Sequence, residues 1–179
     1  MKKTSQYAER VSRLSQLAVV AYAIVASLAM ACSSTAAQHE QTTFGIESEI
    51  EHPLPLPKQV LNILGKDARV SECAKREGFP EAKATMFVAS QIHLRSGEQS
   101  DLVVLPKDAC LFGANIGPIW VFAKSPGAYQ LILKTDALGI EVLTEKSNAY
   151  RDIRGTQATA NRILSATFKF DGHVYQPAH

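Results

Sequence analysis

From Thr85 onward the chain is cut into short β-prone runs by turn residues, and this rhythm constrains its fold more than any other feature. The clearest runs are Thr85 to Arg95 (TMFVASQIHLR), Asp101 to Leu105 (DLVVL), Pro118 to Lys124 (PIWVFAK), Ala128 to Thr135 (AYQLILKT) and Ile140 to Thr144 (IEVLT). Ser96-Gly97, Ser125-Pro126-Gly127 and Leu138-Gly139 divide them with residues that tolerate tight turns. Further on, Leu164, Ala166, Phe168 and Phe170 alternate with Ser165, Thr167 and Lys169, the period of a half-buried strand. Asp171-Gly172, followed by His173-Val174-Tyr175, predicts a two-residue hairpin turn. Six or seven strands at near-regular spacing predict a mainly antiparallel β sheet, as a meander or a small sandwich.

The periodicity differs ahead of these runs. Pro57 suits a first helical position, Val60, Leu61 and Leu64 fall on one face, and Gly65 can end the helix. A second short helical stretch over 69–76 presents Val70 and Cys73 inward, before Gly78-Phe79-Pro80 breaks the chain. The expected fold class is therefore α+β, one β-rich domain over 57–179 with one or two short N-terminal helices. Met86, Phe87 and Val88 read as core.

The N-terminal segment is of another kind. Lys2 and Lys3 open a positive stretch, and Leu17 to Ala31 (LAVVAYAIVASLAMA) holds no charge, the pattern of a secretory signal. Its 15 apolar residues fall short of the roughly 20 that a transmembrane helix needs, although an uncleaved signal anchor is the competing reading. Ala29-Met30-Ala31 and Thr35-Ala36-Ala37 both fit the small-x-small cleavage rule. The first cut falls before Cys32, and Leu28-Ala29-Met30-Ala31-Cys32 followed by Ser33 resembles a bacterial lipobox. It departs from the usual pattern at Ala29 and Met30. The resemblance implies acylation of Cys32 and a membrane-anchored envelope protein facing the periplasm or the outside. A cut after Ala37 would instead give a soluble periplasmic or secreted protein.

Charge is distributed accordingly. The first 31 residues hold four of the 19 basic groups and one of the 17 acidic ones, so the remaining 148 carry 15 against 16, a net −1. A near-neutral body has no basic field to attract nucleic acid, and none is expected as a partner. Residues 32–56, rich in small and acidic residues and ending in His52-Pro53-Leu54-Pro55-Leu56-Pro57, read as a flexible tether.

Three cysteines are present, Cys32, Cys73 and Cys110. If Cys32 is acylated, the other two remain as a disulfide pair in an oxidising compartment. The alternative is two buried free thiols, since spacing alone does not bring sulfurs together. No CxxC or HxxxH spacing suggests a metal, and no cofactor is expected.

No GxSxG, P-loop, GxGxxG, HExxH or EF-hand loop occurs. The densest stretch of special residues, Cys110 to Trp120, holds two glycines and Asn115 beside the only tryptophan, which reads either as a binding edge or as an inter-strand loop with Trp120 in the core. Asn148-Ala149-Tyr150-Arg151-Asp152 offers Tyr150 and Arg151 as interface anchors, against a polar loop with a local contact from Arg151 to Asp152 or Glu145. Asn115, Trp120, Tyr150 and Arg151 are thus the candidate binding residues. Asp101, Asp108 and His93 are the candidate acid–base groups, with a turn acceptor and a solvated-face histidine as the plainer readings of Asp101 and His93.

The succession DLVVLP, a Cys and Gly/Asn loop, PIWVF, GAYQLIL and FKFDGHVYQ is similar to uncharacterised small β-rich domains of exported bacterial proteins and lipoproteins. DLVV and IWVFAKSPGAYQLIL also look like part of one FG-GAP-type propeller blade, without its aspartate-rich calcium loop. The resemblance spans roughly 84–176 and implies no activity or site. The expectation is a non-catalytic binding module, of inhibitor or immunity type, for an envelope protein or glycan. A small envelope hydrolase and a structural envelope component are the alternatives.

Overall fold

The computed structural model describes residues 40–97, 99–113, 116–159 and 161–178. Ten strands and two helices follow one another: β1 (Thr43–Gly45), β2 (Pro53–Leu54), α1 (Lys58–Leu64), α2 (Ala68–Arg76), β3 (Phe87–Ile92), β4 (Asp101–Pro106), β5 (Gly117–Ser125), β6 (Ala128–Ala137), β7 (Gly139–Ser147), β8 (Tyr150–Ala158), β9 (Ile163–Phe170) and β10 (Tyr175–Pro177). Two antiparallel five-stranded sheets result, ordered β2-β3-β4-β5-β6 and β1-β7-β8-β9-β10. The mainly antiparallel α+β fold expected from the sequence is what forms. Among the described residues no helix is long and apolar enough to cross a membrane.

The molecule has three layers and two cores. Between the sheets lie Val103, Leu105, Ile119 and Val121 from one and Phe44, Ile140, Val142, Ile153 and Phe170 from the other. On the opposite face of the first sheet, Leu102, Val104, Trp120 and Phe122 receive Val60 and Leu64 of α1 and Val70, Cys73 and Ala74 of α2. A strand covered on both faces needs apolar residues at every position, not every second one. This is why DLVVLP is uninterrupted: all six residues of β4 are buried.

Local chemistry sets the connections. Asp67 caps α2 by accepting the Arg69 N–H at 3.0 Å, and Lys75 and Arg76 lie in its last turn, where the helix dipole favours cations. The Ser125-Pro126-Gly127 turn joins β5 to β6 as expected, with Ser125 opposite Ala128. The last hairpin turns one residue later than the sequence suggests. Asp171 N–H donates to the Val174 carbonyl, so the central pair is Gly172-His173, with Gly172 at φ +112° and the Asp171 carboxylate accepting the next two N–H groups.

Three expectations are corrected. Residues 40–56 are not tether: β1 pairs with β7 and Phe44 is 0% exposed between the sheets, while β2 pairs with β3. Phe44 and Ile50, buried in the core between the sheets with Ile46 packed against it, anchor a segment whose spacing residues are polar. Tyr150, Arg151 and Asp152 stand in β8, not in a polar loop over 148–152, of which only Asn148 and Ala149 form a turn. The apolar face of β9 is only partly covered: Leu164 is 41% exposed and Ala166 is exposed too, burial begins near Phe168, and Ile163 on the opposite face is 71% exposed. The signal over 1–31, Cys32 and its cleavage site lie outside the described residues.

Candidate functional site

Of the four candidate binding residues, the three that are described form no exposed patch. Asn115 lies outside the described residues. Trp120 is 1% exposed; its ring meets Phe87 edge-on at 5.7 Å and its Nε1 donates to Asp67 Oδ2 at 3.4 Å. Tyr150 stacks on Phe170 at 4.0 Å, with the Arg95 guanidinium 5.2 Å above its ring. Arg151, with 14% of its side chain exposed, donates to the carbonyls of Leu143 (2.6 Å), Val142 (3.1 Å) and His93 (3.3 Å) and pairs with Glu40 at 3.0 Å. Its ionic partner is thus neither Asp152 nor Glu145 but a residue 111 positions away. Five donors fixed in a plane let one arginine tie two strand ends to the chain entering the domain.

The acid–base candidates are each held in separate work. Asp108 accepts the Cys110 N–H at 3.3 Å and starts a short 3-10 turn over Ala109–Leu111. Asp101, wholly buried, accepts the Lys124 N–H at 2.8 Å and pairs with Arg95 at 3.1 Å. His93, 40% exposed, faces Glu40 through Nδ1 at 3.1 Å and Gln91 through Nε2 at 3.2 Å. A second carboxylate, Asp152 on β8, is also buried among the described residues. The Tyr175 phenol senses both acids: burial first, then their negative charges, push its pKa far above the ordinary value of 10.0. It therefore stays a donor, bonded to the Arg151 carbonyl. Arg95 Nε, Asp101 Oδ2 and Asp152 Oδ1 are buried there with no hydrogen-bond partner, so this corner holds both acids at some cost.

Cys73 and Cys110 lie at disulfide distance, with Cα atoms 5.6 Å apart. Their sulfurs and an Asp108 carboxylate oxygen fall within 4.8 Å of one another. A bonded pair has no thiolate to give a metal. It joins α2 to the segment after β4.

Besides a polar recess of about 530 Å³ lined by Lys58, Asn62, Lys66 and Glu81, the described residues leave an apolar opening on the flank. β6 and β10 are the last strands of their respective sheets, and the two edges line one recess of about 360 Å³, with Leu131, Leu133, Phe168, Val174, Tyr175 and Pro177 in its walls. A second recess of about 120 Å³ shares Phe168 and is lined by Ala137, Gly155, Leu164 and Ala166, with Gln157 and Asp136 as polar groups. Gly155 makes this space: a Cβ there would stand 2.9 Å from Phe168 Cε2. Leu164 at its wall is one of the exposed apolar side chains of β9. Apolar walls with a few polar groups are the usual lining of a ligand-binding cleft. Sequence periodicity finds β6 and β9 but not that they face one another, because sheet order is a tertiary property. Comparison with protein-family models, curated proteins and solved structures finds no match.

Proposed function

We propose that this protein is a non-catalytic binding module of the bacterial cell envelope, exported by residues 1–31, acylated at Cys32 and holding an envelope protein or glycan in the flank cleft. The observation that carries this reading is the cleft itself: two apolar recesses meeting at Phe168, beside a β9 whose inward face is left half uncovered. Exposed, contiguous apolar surface of this kind marks interaction sites. Export and anchoring rest on the uncharged run before Cys32 and its lipobox-like context. An inhibitor or immunity role fits a small domain that offers a cleft edge.

The test is a photo-activatable cross-linking residue at position 164, on the wall of the cleft, introduced into the chain in its native envelope, with position 81 as control. A discrete adduct from 164 alone, lost on Gly155→Val, is the expected result; equal labelling from both positions would sink the cleft. An intact mass with acyl groups on Cys32 is expected for the same sample, and an N-terminus after Ala37 removes the anchor. The rival hydrolase has one geometry in its favour, the Glu40 carboxylate on Nδ1 of a part-exposed His93, the arrangement that orients a general base. It predicts ester or amide hydrolysis by envelope extracts that disappears with His93→Ala.

A further inference from the structure

We propose that the occupant of the cleft is an extended segment of a partner protein that pairs with β6 and β10 at once and joins the two sheets. This rests on the binding reading above and names the chemistry of the ligand. Consider which main-chain groups point into the gap. In an antiparallel ladder, successive residues aim their N–H and C=O alternately toward and away from the neighbouring strand. On β6, the Tyr129 N–H points away from β5, since it donates to Gln59 Oε1 at 3.1 Å. The Asp136 carbonyl points away too, since it accepts from Gln157 Nε2 at 2.7 Å; Pro118, which has no N–H, sits opposite it. Two steps inward from each end, with the register shift after Leu131 absorbing the odd residue, Leu131 and Lys134 also face outward. Both line the larger recess.

β10 answers from the other side. The Val174 carbonyl accepts from Asp171 and the Ala178 N–H donates to Thr167, so Val174 and Ala178 face β9, and Tyr175 and Pro177 turn their main-chain groups toward the cleft. Among the described residues no strand pairs with either outer edge. Glutamine side chains cover both ends of the β6 edge and leave its middle open. The outward N–H and C=O groups of Leu131 and Lys134 on β6, with those of Tyr175 and the Pro177 carbonyl on β10, line one recess, and such groups at strand spacing are complementary to another backbone, not to an acyl chain or a sugar. Alternate side chains of the inserted segment would point inward, where the recess beside Phe168 and Gly155 suits a branched aliphatic group.

A displayed library of random octapeptides selected on the full chain in detergent tests this. Expected are enriched peptides with an apolar residue at alternate positions, at least tenfold weaker binding when their alternate amides are N-methylated, and at least tenfold slower exchange of the Leu131, Lys134 and Tyr175 amides in the complex. Leu131→Pro and Lys134→Pro, which remove outward N–H groups that β5 does not use, should each weaken binding tenfold. If either variant fails to fold, the methylated peptides still decide. Failure to enrich any peptide, equal binding of methylated and parent peptides, or unprotected edge amides overturns the proposal. A cross-link from position 164 without peptide binding would overturn the inserted strand and leave the binding reading; peptide binding by a chain that is not exported would support the strand and overturn the location.

Discussion

Asn148 and Ala149 turn β7 into β8 with φ values of +48° and +68°, the two positive values that a two-residue hairpin of this twist demands. Asn148 is suited to this and also donates to the Phe170 carbonyl at 2.7 Å. Ala149 is not, since its Cβ crowds the following carbonyl. Ala149→Gly is therefore expected to raise stability by about 0.5–1 kcal/mol, the relief of strain exceeding the added entropy of the unfolded chain, as read from denaturant midpoints. Asp67 shows how one side chain serves two layers. Burial disfavours its charge, but the Lys134 ammonium at 2.6 Å, the Arg69 N–H and the Trp120 indole outweigh that and hold its carboxyl below the ordinary 3.8. A depressed pKa means that its stabilisation is complete above the unfolded value and is lost as pH falls through the folded one. Asp67→Asn keeps a cap and loses the ion pair, so the variant should lose less stability than the parent between pH 6 and pH 3. Equal losses in urea titrations would assign that titration to other groups.

At the scale of elements, α2 is held by its buried face, by its Asp67 cap and by the Cys73 to Cys110 link across 37 positions. A bridge closing a loop of that size is worth about 3–4 kcal/mol, chiefly by restricting the unfolded chain. Reduction, or Cys73→Ser with Cys110→Ser, should lower the unfolding free energy by that amount while leaving strand content by circular dichroism unchanged. Strand β8 was the element hardest to see in sequence. Its residues Tyr150, Arg151, Asp152, Arg154 and Gln157 read as polar because several are satisfied at a distance: Arg151 by Glu40 and three carbonyls, Gln157 by the β6 edge. Strands β3 to β7 were legible because covered β strands carry runs of Val, Ile and Leu between turn residues.

At the scale of the molecule, the domain starts earlier than its helices. Phe44 fills the space between the sheets and Glu40 holds Arg151, so a chain beginning at residue 57 loses both. It should be less stable than one beginning at Glu40 by more than about 3 kcal/mol, the usual effect of deleting a buried phenylalanine, or fail to fold; equal thermal midpoints would return residues 40–56 to the tether. The class of fold, the order of the helices and of strands β3 to β7, several of the turns and the cysteine pair, as a candidate, are legible in the sequence because they depend on periodicity and on residues adjacent in the chain. The division of the strands into two sheets, the burial of Trp120 and Arg151, the separate roles of Asp101 and Asp108 and the sharing of one recess by the edges of β6 and β10 emerge only once the chain is folded. Those outcomes depend on which distant segments meet, and burial and hydrogen bonding between residues up to 111 positions apart leave no local pattern to read.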